Sequence, residues 1–581
     1  MDPHAAQAAA EPTPAHPLGS RATILLTSVF GPYARDDEYG SRALNPMELY
    51  QNQVTRAEGP FSLRMFHRSW GIMLIQANIG APCTVLDFPT LDRFMQELRS
   101  QAYDIVGITA ILPNIEKVKK MCSLIRDLQP RATIVVGGHV ANAPGLHERI
   151  DADHIIRGEG VRWFRRFLGE DPEQPIRHPV VSSAVGTRTM GFSVKNTGRE
   201  AAATLIPSVG CPMGCNFCAT SAMFGGKGKF VNFYETGDEL FRVMCGIERR
   251  LGVRSFFIMD ENFLLHRSRA LRLLELVEEH GKAWSLYVFS SARVIQSYAI
   301  DQLVRLGISW VWMGLEGRQS QYAKLSGVDT RVLVQTLQAH GIRVLGSSII
   351  GLEEHTPENI HEVIDYAVSH ATDFHQFMLY TPIPGTALYA EHLANKTLKD
   401  PHEYQEGDVH GQAIFRHLHP HIKEGQETGF ILQAFQRDFE VNGPSVLRIA
   451  RTVLAGWRRY KDHADPRVRN RFAWEARDLV VTYPAALWAA RRWFKERNPA
   501  LVRKLSGLLE DITREVGLKA RLAAAVGGTL VLSRLRREAR RLSVGWTYEP
   551  PTFYEMNESM FRCRRAGVAP AGLINWVSPL A

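Results

Sequence analysis

Cys211, Cys215 and Cys218 stand in the stretch Pro207-Ser-Val-Gly-Cys-Pro-Met-Gly-Cys-Asn-Phe-Cys218, a C-x3-C-x2-C spacing. Three thiolates this close on a glycine-bearing loop can hold three irons of a [4Fe–4S] cube, and the fourth iron then has no ligand in the motif. An open iron means chemistry at the metal and not only electron transfer. Two other uses of these thiols fit less well. A structural zinc site takes four ligands, and Cys83, Cys122, Cys245 and Cys563 stand far off in sequence and read as small buried hydrophobes. A disulfide framework belongs to cysteine-dense secreted chains. Seven cysteines in 581 residues, with no apolar segment in the first twenty, point instead to a reducing cytoplasm.

The elements that must position this loop read as repeated β/α units. The loop follows an apolar run, Ala201 to Ile206, and strand-like runs recur at 255–259, 285–289, 310–313, 344–350 and 376–380. Helical segments separate them, including 271–280, 300–306 and 330–340. Such repetition predicts a barrel or partial barrel with its functional groups at the carboxyl ends of the strands. Polar residues stand at those ends: Asp260-Glu261-Asn262, Ser290-Ser291-Ala-Arg293, Gly314-Leu-Glu316 and Gly351-Leu-Glu-Glu354. Tyr380-Thr-Pro-Ile-Pro-Gly-Thr386 closes the region as a stiff turn, with Tyr380 as a candidate for facing substrate.

Upstream, 22–29, 83–87, 103–110, 132–136 and 154–156 are short, β-branched and apolar, with helical spacing between them, as over 115–128. This rhythm predicts a doubly wound parallel sheet. Ligands of such sheets sit beyond the strand carboxyl ends, where Thr109, then Gly137-Gly138, then Gly158-Glu159-Gly160 fall.

The cysteine spacing and the order of these features resemble the radical S-adenosylmethionine (SAM) superfamily, preceded by the cobalamin-binding domain that many of its members carry. The resemblance covers roughly 21–395. It implies that the open iron chelates the amino and carboxylate groups of SAM, and that an electron from the cluster cleaves SAM to a 5′-deoxyadenosyl radical. It places Phe217 against the adenine, Asp260 and Glu261 near the amino group, Ser291 and Arg293 near the ribose and carboxylate, Glu316 in the same polar wall, and Ile349 and Gly351 on the adenine side. Ser347 stands where the family's strand motif has its first glycine. Thr109, Gly137, Gly138, Gly158 and Glu159 are the matching cobalamin positions. The D-x-H-x-x-G loop that supplies a cobalt ligand in one cobalamin class is missing, and His67 is the nearby stand-in.

The third region carries the charge. The chain is +9 overall, but 446–543 holds 23 Lys and Arg against 9 Asp and Glu, a local +14, so the rest sums to about −5. Its apolar runs at 479–490 and 522–532 are shorter than the roughly 18–20 residues that span a bilayer. Its basic, Trp-bearing helices suit either a membrane interface or a solvated face over an ordinary core, and no nucleic-acid motif accompanies them.

The reading is therefore α/β: a tail at 1–20, a doubly wound cobalamin-binding-like domain at 21–179, a radical SAM β/α partial barrel at 180–395, and a basic helical region at 396–581. The expected activity is SAM cleavage followed by methylation, with cobalamin, of an unactivated carbon in a hydrophobic, lipid- or hopanoid-like substrate. Radical coupling or oxidative cyclisation, as in porphyrin-cyclase-type relatives, is the alternative, and a non-catalytic iron–sulfur or electron-transfer protein is the reading from another class. The expected partners are an electron donor such as flavodoxin or ferredoxin and, through the C-terminal region, the inner face of a membrane.

Overall fold

The computed structural model describes residues 15–40, 44–194, 198–317, 323–566 and 575–576. In the first third the strands are β1 (Ile24–Ser28), β2 (Arg64–Phe66), β3 (Cys83–Asp87), β4 (Ile105–Thr109), β5 (Thr133–Gly137) and β6 (His154–Ile155). A connecting hairpin, β7 (Val185–Thr189) and β8 (Phe192–Ser193), leads to β9 (Ala202–Leu205), and β10 (Ser208–Val209) with β11 (Val231–Asn232) brackets the cysteine loop. The second repeat series is β12 (Ser255–Ile258), β13 (Ser285–Phe289), β14 (Ile308–Gly314), β15 (Arg343–Ile350) and β16 (Phe374–Leu379), and the chain ends with β17 (Phe553–Met556) and β18 (Asn575–Trp576).

Strands β3, β1, β4, β5 and β6 form a parallel sheet in that order. Both of its faces are covered, which is why its strands read as unbroken apolar runs. Leu25, Val106 and Ile134 pack on one side, and Ile24, Leu26, Ile105 and Val135 on the other. The sheet is wider than the five expected runs. After the basic helices the chain returns, and β17 pairs antiparallel with β3, with β18 beyond it. The region at 396–581, expected to be mostly helical, is helical through Gly528–Ser543 and again over Glu558–Ala566, with β17 between them. At the other end, 1–14 lie outside the described residues, but 15–20 are not a loose tail, since the His16 amide donates to the Phe167 carbonyl and a 3₁₀ turn spans Gly19–Arg21.

The second sheet is a parallel partial barrel ordered β16-β15-β14-β13-β12-β9. Its outer face carries the helices Gly237–Leu251, Arg267–Glu279 and Ile300–Leu306 over a core including Phe256, Leu286, Val311 and Val344. The first of these starts with a capping box, in which Thr236 and Glu239 each satisfy the other's backbone amide. The inward residues alternate with those core positions: Tyr287, Phe289, Trp310, Trp312, Ser347, Gln376 and Met378. They lie inside the domain yet stay only half-buried, so they line a lumen. Tyr50, Gln53 and His67, from the first third of the chain, close its open side. Beneath it, Trp310 and Phe374 stack at 5.4 Å and join the core of the C-terminal helices.

Candidate functional site

The cysteine loop stands at the carboxyl end of β9, and its shape depends on two glycines. At Gly214, φ is +62° and a Cβ would lie 2.5 Å from Lys227; at Gly210, φ is +87° and a Cβ would lie 2.7 Å from Phe224. Cys218 caps the helix Ala219–Met223 by accepting from the Ser221 amide, and the Ser221 hydroxyl donates to the Cys211 carbonyl at 2.7 Å. All three thiols are half-buried and free of disulfides. Burial pushes Cys211 up to about 11 and raises Cys215 and Cys218 as well. A bound cation is what would hold such thiols as thiolates. Among the described residues no group of three His, Cys, Asp or Glu side chains is arranged to hold a metal ion.

The polar residues at the strand ends divide into two kinds. Asp260 is fully committed to the fold: its carboxylate takes the buried Arg269 guanidinium, the Ser208 hydroxyl at 2.7 Å and the Asn262 amide at 3.1 Å. Asp260, expected near the amino group of SAM, thus has its carboxylate engaged by the fold. Its neighbour Glu261 is different, because Oε2 is buried with no hydrogen-bond partner. Burial, with the Asp260 charge adding to it, pushes Glu261 up to about 7. Asn262 ties β12 to the end of β13, accepting from the Ser290 hydroxyl and the Ser291 amide and donating to the Ser291 hydroxyl at 3.4 Å. Arg293 is exposed on the following helix and is not brought into this cluster.

Glu316 is buried in the left-handed region, with φ +46°, and pairs through Oε1 with Lys324 while Oε2 has no partner. Burial alone would lower the Lys324 ammonium, but Glu316 and Cys215 beside it outweigh that and hold it above its ordinary value. Its Nζ lies 5.2 Å from the Phe217 ring centre. Phe217 packs with Ile349, Leu352, Tyr380 and Leu388 in one apolar wall. The Asn216 amide donates to the Tyr380 hydroxyl at 3.2 Å, which ties that wall to the cysteine loop. A Cβ at Gly351 would lie 2.3 Å from Phe415, so only glycine fits there. Sequence reasoning missed Lys324 and Arg269, because no spacing rule links either to its carboxylate across a loop and a helix.

All five candidates in the first domain line one cleft: Thr109, Gly137, Gly138, Gly158 and Glu159. Glycine shapes it. A Cβ at Gly107 would come within 2.6 Å of Leu26, and one at Gly138 (φ +87°) within 2.6 Å of the Ala110 carbonyl. Glu159 has a second task, capping the helix Gly160–Phe167 through the Val161 and Arg162 amides. The far wall comes from the other domain: Val209, Met223, Phe224 and Phe233, all on the segment that carries the cysteines. This glycine-lined slot fits a large, flat cofactor laid over the sheet's carboxyl edge. His67 does not line it. Its Nδ1 bonds the Ser183 carbonyl at 2.5 Å, its ring stacks on Phe257 at 5.4 Å, and burial pushes it down to about 4. His67, the candidate cobalt ligand, is therefore placed at the barrel lumen and away from this cleft.

Comparison with known proteins agrees with this division. The B12 binding domain family matches residues 70–168 and the Radical SAM superfamily matches 205–367. An uncharacterized methyltransferase of Pyrococcus horikoshii is 24% identical over 51% of this chain and 70% of its own length. The bacteriochlorophyllide d C-12(1)-methyltransferase of Chlorobaculum tepidum is 26% identical over 53% and 69%. The hopanoid C-2 methylase of Rhodopseudomonas palustris is 26% identical over 55% and 60%. The radical SAM domain implies a [4Fe–4S] cluster and SAM, and the domain before it implies cobalamin. With its cysteine loop forming one wall of the glycine cleft, this chain is a radical SAM enzyme that carries a B12 binding domain.

Proposed function

We propose that the chain transfers a methyl group to an unactivated carbon of a bulky apolar substrate. The observation that carries this reading is the shared cleft: the glycine edge of the first domain and the cysteine-bearing segment of the second are two walls of one space. When bound, the cluster with SAM supplies a hydrogen-abstracting radical and cobalamin supplies the methyl group. The protein's part is to hold, aim and shield these groups. Cys211, Cys215 and Cys218 would hold three irons. The unpartnered oxygens of Glu261 and Glu316 would accept from the amino group and ribose of SAM, beside Ser291, while Lys324 meets its carboxylate. Phe217, Ile349, Gly351 and Tyr380 would form the adenine side, and Arg293 would have to swing inward to take part.

The lumen supports an apolar substrate. Phe289 and Trp312 stack at 4.9 Å, and Tyr287 and Trp310 at 5.5 Å, so flat hydrophobic surface faces the cavity. A polar thread crosses it: Trp312 donates to Ser347, Ser347 to Gln376 and Gln376 to Gln53, at 2.7, 2.7 and 2.6 Å. Such a thread fixes the orientation of a ring system with few polar groups. The names of two relatives, which act on a bacteriochlorophyllide and on a hopanoid, support the same class.

The test is anaerobic. Protein reconstituted with iron, sulfide and hydroxocobalamin is desalted, its visible spectrum taken, and SAM, dithionite and a panel of polycyclic lipids and tetrapyrroles added. The expected result is cluster and cobalamin absorption, 5′-deoxyadenosine, and a product heavier by one CH2 unit, all but the cobalamin absorption lost in Cys215→Ala. A product of unchanged carbon number would move the reading to cyclisation. A cluster with no SAM cleavage under any condition would refute catalysis.

A further inference from the structure

The basic region ends in one long helix built from Leu518–Leu522, a π turn at Ala523–Gly527 and Gly528–Ser543. One narrow stripe of it is buried, at Ala520, Ala524, Gly528 and Leu535. Gly528 sets how closely that stripe approaches the helix Thr482–Phe494, since a Cβ there would lie 2.5 Å from the Trp488 ring. Among the described residues nothing covers the opposite face. Leu518, Leu522, Val526 and Leu530 recur every four residues and are 70, 57, 75 and 56% exposed. Single exposed apolar residues need no account, but a contiguous stripe marks a contact surface.

Along the same helical line the stripe runs on through Thr529 and Ser533 to Arg536 and Arg540. There it meets Arg492 of the neighbouring helix and Lys495, Glu496 and Arg497 of the turn that follows it, and these residues line a shallow groove with Trp493. From 518 to 543 the helix holds seven Lys and Arg against one acid, Glu538, and that acid is buried and paired with Arg188. The arrangement is an apolar band continuous with a cationic one, beside a tryptophan. No helix among the described residues is long and apolar enough to cross a membrane.

We propose that this helix docks the protein on an anionic lipid surface, with Leu518, Leu522, Val526 and Leu530 in the boundary between headgroups and acyl chains and Arg536, Arg540 and Lys495 on the phosphates. An apolar stripe gains free energy by leaving water, and cations near anionic headgroups add to it. A nucleic acid would use the cations and leave four exposed Leu and Val unexplained. The proposal stands whether or not the methyl-transfer reading does.

The test is sedimentation of the purified full-length protein with vesicles of phosphatidylcholine alone and of equimolar phosphatidylcholine and phosphatidylglycerol. The expected result is binding to the mixed vesicles, weakened by salt and by about fivefold for each cation removed, as in Arg536→Gln and Arg540→Gln. Leu522→Asp with Val526→Asp should abolish it while circular dichroism and the melting curve stay as in the parent, since neither side chain is in the core. Equal failure to sediment with both vesicle types would overturn the proposal. So would binding untouched by the double substitution, displacement of the vesicles by duplex DNA with the stripe variant unaffected, or a dimer in solution that the stripe variant converts to monomer.

Discussion

Asp260 and Glu261 are adjacent carboxylates, and the structure gives them opposite work, which substitution can separate. Asp260→Asn removes the charge facing Arg269, whose guanidinium is buried and has Asp260 as its only ion-pair partner among the described residues. Breaking a buried pair from one side costs roughly 3–5 kcal/mol, because the other charge stays in a poor solvent. At roughly 2–4 °C per kcal/mol for a domain of this size, melting of the radical SAM domain should fall by roughly 6–20 °C. Glu261→Gln keeps the shape and removes a buried charge whose Oε2 has no hydrogen-bond partner, so its melting temperature should hold or rise. The SAM side reverses this order. Losing one charge-assisted hydrogen bond of about 1.5–3 kcal/mol should weaken SAM binding by about 10–100-fold in Glu261→Gln. Equilibrium dialysis with labelled SAM on reconstituted protein, read beside a thermal melt, measures both. Arg269→Met in the Asp260→Asn background should recover most of the lost stability, as expected if the stranded cation is the cause. The division of labour is refuted if Asp260→Asn melts with the parent and loses SAM, or if Glu261→Gln binds SAM normally.

Three further outcomes follow from the geometry. Gly138→Ala must put a Cβ 2.6 Å from the Ala110 carbonyl at φ +87°, so the cleft should deform and hydroxocobalamin absorption should be lost on desalting, while iron content stays at the parent level. His67→Ala should leave the cobalamin spectrum unchanged, because His67 does not line that cleft; a shifted spectrum would return it to the cobalt. Glu48, with neither carboxylate oxygen hydrogen-bonded and Arg64 3.8 Å away, is pushed by burial from 4.5 up to about 8. The folded state therefore holds this proton more tightly than the unfolded chain, and the stability it gives is lost as pH rises from 4.5 through 8. Glu48→Gln should be more stable than the parent above pH 8, by on the order of a few kcal/mol, with a flatter stability profile between pH 5 and 8; identical profiles would refute the buried-acid account.

Much of the architecture was legible along the chain because it is written in local pattern. Short β-branched runs with helical spacing between them became β1, β3, β4, β5 and β6 and then β9 and β12 to β16. The cysteine spacing and the glycines after β5 and β6 marked their loops because thiolate ligands and left-handed backbone each demand particular residues. What no local pattern carries is pairing between distant segments. The run at 553–556 falls in a region whose sequence reads as mostly helical, and pairing with the edge of β3 makes it a strand. His67 reads from sequence as either a candidate cobalt ligand or an ordinary buried histidine, and the structure packs it against Phe257 of the barrel. Asp260 and Glu261 are indistinguishable as letters, because which of two neighbouring carboxylates meets the buried Arg269 depends on how the helix Arg267–Glu279 packs. The sequence by itself determined which cofactors this protein can hold and in what order its domains run. The tertiary structure alone decided that those cofactor sites share a wall, that an aromatic lumen lies beneath them, and which charges are already paired, since each of these is a contact between residues that no periodicity relates.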